Sequence, residues 1–83
     1  MGETLETLRV NLNTAERLVA DGEWIIARHR SIAEALENEA GVSVASIGRA
    51  WNVLALVEAL QARRIANRDR LRQQWCAAYL LGP

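Results

Sequence analysis

The sequence predicts an all-α protein, a long antiparallel helical hairpin that dimerises into a four-helix bundle, and three observations carry that expectation. Ala, Leu, Arg, Glu, Gln and Met supply 47 of the 83 residues, and these are the residues that cost least in a helix interior. The only proline is Pro83, so no ring interrupts helical geometry between Met1 and Gly82. Apolar residues recur at three-four spacing through two long stretches separated by one break. The length limits the chain to a single domain, residues 1–83.

In the first stretch the spacing selects Leu5, Leu8, Leu12, Ala15, Val19, Gly22, Ile26, His29, Ala33, Leu36 and Ala40. These alternate between heptad positions a and d, starting with Leu5 at a. Asp21-Gly22 is a turn signal, but the phase of Ile26, Ala33 and Leu36 beyond it is unchanged, which predicts one helix over residues 3–40. Gly22 then costs that helix up to roughly 1 kcal/mol relative to alanine. Leu18, Ile25 and Ile32 at position g widen the apolar face, whereas position e carries Arg9, Glu16, Glu23, Arg30 and Glu37. So broad a face suits packing against more than one neighbouring helix.

The break falls at 38–43, where Gly41 can adopt the left-handed C′ conformation and Ser43 can cap the next helix, giving a turn over 41–43. A second helix over 44–80 places Ile47, Ala50, Leu54, Val57, Leu71, Trp75 and Ala78 inward, flanked by Trp51, Val53, Leu60, Ile65 and Tyr79. Its middle is polar: Gln61, Arg64 and Arg68 occupy a and d positions, where an unpaired charge would be costly. Folding the chain back near residue 42 brings together residues whose numbers sum to about 84. Arg64 and Arg68 then meet the stretch containing Glu16, Asp21 and Glu23, beside the small residues Ala15 and Gly22. A polar layer of Glu16, Glu23, Gln61, Arg64 and Arg68 is the expected result. Residues 1–42 hold eight acids and four arginines, and residues 43–83 two acids and six arginines, so antiparallel docking neutralises both halves.

Such a hairpin is ~55 Å long at 1.5 Å per residue, and two helices alone cannot cover a stripe three positions wide. A second copy would cover it, with Leu5, Leu8, Leu12, Leu18, Val19, Ile25, Ile26, Ile32, Leu36, Leu54, Val57, Leu71 and Trp75 as interface candidates. The competing architecture breaks near Asp21-Gly22 into a monomeric three-helix bundle.

Ala20-Asp21-Gly22-Glu23-Trp24-Ile25-Ile26-Ala27-Arg28-His29-Arg30, followed by Arg68-Asp69-Arg70-Leu71, resembles a pattern in short helical proteins of GC-rich bacteria. There a segment like A-E-G-E-R-x-I-A-R-Q-R precedes one like R-D-R-L. The likeness spans residues 15–73, with Trp24 and His29 where the pattern has Arg and Gln. It implies no activity and transfers no functional residue.

The remaining candidates are local. Arg63, Arg64, Arg68, Arg70 and Arg72 form a basic run able to track a phosphate backbone, but zero net charge and the lack of a recognition-helix signature count against nucleic acid. Trp24 takes the outermost position of its heptad, f, where an aromatic has no core role, and is a candidate contact for an unknown protein partner. His29 at a d position reads most simply as a boundary histidine, and Cys76 as a small buried hydrophobe. No glycine-rich phosphate loop, metal cluster or nucleophile constellation is present, which predicts a non-enzyme without metal or cofactor. One cysteine, no membrane-spanning apolar run and no signal-peptide pattern at Met1-Gly2-Glu3 predict a cytoplasmic location.

Overall fold

The computed structural model describes residues 4–81. Helix α1 runs Leu5–Asn38 and helix α2 runs Val44–Leu81, joined by a five-residue turn into an antiparallel hairpin. Glu3, the expected first helical residue, lies outside the described residues.

Each helix start is set by a hydroxyl. Thr4 is extended (φ −71°, ψ 159°) and its Oγ1 accepts from the Thr7 amide at 3.1 Å. Ser43 does the same for α2, its Oγ accepting from the Ser46 amide at 3.1 Å while its carbonyl accepts from the Ile47 amide. These satisfy amides that have no partner inside the helix.

The C-terminal end of α1 differs from expectation. The helix stops at Asn38, whose Nδ2 turns back to donate to the Glu34 carbonyl at 2.9 Å, and Glu39 is the capping residue. Gly41 does adopt positive φ, +85°, but two residues past the cap, where it reverses the chain rather than closing the helix. An asparagine amide can satisfy a last-turn carbonyl as well as a left-handed glycine can, and the helix ends two residues before the expected residue 40.

α1 passes through Asp21-Gly22 without interruption, which overturns the three-helix alternative. The seam is built from a and d residues: Leu8, Ala15, Val19, Gly22 and Ala33 of α1 are buried against Leu54, Gln61 and Leu71 of α2. Cross-helix hydrogen bonds join 16 to 72, 18 to 64, 19 to 61 and 30 to 58, so partner numbers add to between 80 and 88, bracketing the predicted 84. Small residues at three of the buried seam positions, Ala15, Gly22 and Ala33, let the backbones approach closely. The result is a rod 65 × 16 × 15 Å with a radius of gyration of 18.5 Å, where a compact chain of this length would have about 12 Å.

Candidate functional site

The middle of the seam is where polar residues meet the core. Gln61 is only 5% exposed, and its Nε2 donates to the Val19 carbonyl across the hairpin at 2.8 Å. Its Oε1 is buried without a hydrogen-bond donor among the described residues. That oxygen lies over Gly22: a methyl group there would overlap Oε1 and come within 2.7 Å of Cδ and 3.2 Å of Nε2. Oε1 is thus seated on the glycine Cα, placed for a weak Cα–H···O contact. The glutamine carboxamide occupies the volume that a side chain at position 22 would need.

The arginines do not occupy that space as the sequence predicted. Arg64 reaches only a main-chain acceptor, the Leu18 carbonyl, with Nη1 at 3.4 Å. Arg68 is turned to its own neighbour, donating Nε and Nη2 to Asp69 Oδ1 at 3.1 and 3.0 Å. Glu16 pairs instead with Arg72, whose Nε lies 3.1 Å from Oε1, and Glu23 makes no ion pair among the described residues. Both charged residues of the expected layer on α1 are therefore exposed, and the layer proper is Gln61 on a glycine and a carbonyl. Guanidinium groups half in water keep their hydration and need no carboxylate, whereas a buried carboxamide must find a partner.

The two flanks of the seam differ in chemistry. Arg30 meets Glu58 and Glu16 meets Arg72, all four at position e, so one flank is charged and ion-paired. The g positions of both helices consequently share the other flank: Asn11, Leu18, Ile25 and Ile32 on α1, and Ser46, Val53, Leu60, Asn67 and Gln74 on α2. None carries charge. Leu18, Ile32, Val53 and Leu60 are 40, 42, 40 and 45% exposed, and Leu56 beside them is 70% exposed.

This sorts the predicted interface residues. Leu8, Val19, Leu54 and Leu71 are buried inside one hairpin and are not available to a second copy. Leu12, Ile25, Ile26, Leu36, Val57 and Trp75 are half-buried, and Leu5, Leu18 and Ile32 are exposed. Leu56 was not among the predicted residues; the signal was its c position, which adjoins g on the helix surface.

Trp24 is 64% exposed, with the Arg28 guanidinium 5.7 Å from its ring centroid. Together with Ala27, Ser31, Ile32 and Ala35 they border a shallow open depression, all of it on α1. Of the basic run, Arg72 alone pairs with an acid of α1, Arg70 donates to Asn67 Oδ1 at 2.7 Å, and Arg63 is exposed with no carboxylate partner among the described residues. His29 is half-buried. Cys76 is exposed, not buried as predicted, because position b faces away from the seam. In the first turn of α1, Arg9 binds Glu6 through two hydrogen bonds and holds its carboxyl below the usual carboxylate range.

Among the described residues no three His, Cys, Asp or Glu side chains gather where they could hold a metal ion, and no helix is long and apolar enough to cross a membrane. Comparison with family models, with curated proteins and with solved structures found no match.

Proposed function

We propose that this chain is a self-associating helical hairpin that acts by protein–protein contact, as a scaffold, adaptor or regulator, and not by chemistry on a bound substrate. The observation that carries this reading is the imbalance between what one chain buries and what it leaves in water. Among the described residues four large aliphatic side chains are buried, each contributing about 1.5–3 kcal/mol, while twelve large hydrophobics remain exposed. A chain of this size seldom holds a fold with so small a core unless something is added to it, and association is the simplest addition. A two-helix rod also offers no enclosed cleft in which a substrate could be desolvated. The exposed lone thiol of Cys76 suits a reducing compartment, and the cytoplasm is where we place the protein.

The test is the mass in solution by light scattering at two concentrations in reducing buffer. A particle of about 18 kDa, twice the 9.2 kDa chain, is expected; a well-folded monomer across the range would overturn the reading.

The exposed Arg63 and Arg70 support a second reading, contact with a nucleic-acid backbone. A gel-shift titration at two salt concentrations separates the two, since phosphate contacts weaken steeply with salt and absence of binding at low salt ends the second reading.

A further inference from the structure

We propose that the second copy docks on the uncharged g flank, and that the two-fold axis relating the copies runs parallel to the helices, so that α1 of each chain lies against α2 of the other. This rests on the self-association reading above and adds to it a face and a symmetry.

The face follows from chemistry. Of the two flanks of the seam, one is lined by the Arg30–Glu58 and Glu16–Arg72 ion pairs, while the other presents Leu18, Ile32, Val53 and Leu60 with no charged residue at a g position inside either helix. Three guanidiniums border that flank, Arg64 at the Leu18 carbonyl, Arg49 at Ser46 and Arg70 at Asn67, and none of the three is held by a carboxylate among the described residues, so docking there breaks no ion pair as long as their outer faces stay in water. The flank's extent is sufficient: a long face of 65 by 16 Å offers roughly 1,000 Å², against ~800 Å² per partner in a standard interface.

The axis follows from charge. A face can dock on its own copy through only two kinds of two-fold axis, both lying in the contact plane. An axis across the helices stacks α1 on α1 and α2 on α2. An axis along them stacks α1 on α2. Within their bounds α1 carries six acids and four arginines and α2 two acids and six arginines, so only the second arrangement brings opposite net charges together. The rim of the face sharpens the choice. Position c, adjoining g, holds Asp21 in the middle of α1 and Arg63 in the middle of α2. An axis across the centre of the rod sets Asp21 on Asp21 and Arg63 on Arg63. An axis along the rod keeps every residue at its own height, and since 21 and 63 sum to 84 it sets Asp21 beside Arg63 of the second copy, halfway along the rod, on both long edges of the contact. By the same rule Arg70 is level with Thr14, Arg49 with Ala35 and Arg28 with Leu56, so no like charges face each other along the rim.

Cysteine mapping tests this in the full chain with Cys76→Ser as background. Asp21→Cys and Arg63→Cys chains are prepared separately, mixed and mildly oxidised, with helicity and scattering mass recorded beforehand. Mixed 21–63 cross-links in excess of like pairs are expected. Cross-links of 21 to 21 or 63 to 63 would overturn the axis. A particle that keeps the mass of a dimer but forms none of these links would overturn the face while leaving self-association standing, and a monomeric mass would overturn both. Leu60→Glu, at a residue already 45% exposed in one chain, is expected to raise the dimer dissociation constant by more than about tenfold with helicity kept at high concentration. An unchanged constant would likewise overturn the face.

Discussion

At the scale of single residues, the contact between Gly22 and Gln61 reverses an ordinary rule. Replacing glycine by alanine inside a helix ordinarily stabilises by up to about 1 kcal/mol. Here the added methyl collides with the Gln61 carboxamide, which must leave the Val19 carbonyl and lose its buried bond, a loss of about 1–3 kcal/mol. Set against that gain, Gly22→Ala is therefore expected to destabilise by up to about 2 kcal/mol in urea unfolding. In a Gln61→Ala background the same substitution should stabilise by up to about 1 kcal/mol, because the volume is then free. A stabilising effect in both backgrounds would show that the two residues do not interact. The sequence announced that something polar would fill the space over Gly22, since a small seam residue on one helix lies level with polar seam residues on the other. It did not announce which. Gln61, Arg64 and Arg68 are all long enough to reach, and the outcome turns on how fully each head group is dried by the packing, a quantity set by the helix separation and not by spacing along the chain.

At the scale of elements, phase was the informative signal. An unbroken heptad through Asp21-Gly22 located a single helix where local turn chemistry alone would have broken it, because three turns of consistent packing outweigh one unfavourable residue. The ends were less legible: Asn38 competes with Gly41 for the last carbonyls of α1, and either choice is compatible with the same residues. The division of labour in the turn can be measured. Gly41 needs positive φ, which costs a residue with a Cβ roughly 1–2 kcal/mol, and no neighbour lies within 4 Å to add a clash. Gly41→Ala is expected to lower stability by about that amount, and Ser43→Ala by about 1 kcal/mol through loss of the α2 cap. The two effects, read from urea midpoints, should be similar in size; a neutral Gly41→Ala would mean that the turn relaxes to another conformation.

At the scale of the whole molecule, folding and association are predicted to be one process. If the hairpin is completed only by its second copy, the melting temperature should rise with protein concentration, and Ile26→Asp or Leu36→Asp, each at a half-buried position, should abolish both helicity and the dimer together. A folded, monomeric Ile26→Asp chain would separate the two. The 65 × 16 × 15 Å outline also governs how any such mass is to be measured. A rod about four times longer than wide experiences more friction than a sphere of equal mass, so a single hairpin would elute early from a sizing column and be mistaken for something larger. Side-by-side pairing thickens the rod without lengthening it, so the frictional ratio should fall as the particle doubles. Sedimentation velocity, which reports shape and mass from one boundary, therefore distinguishes a lone rod from a pair even where elution volumes coincide.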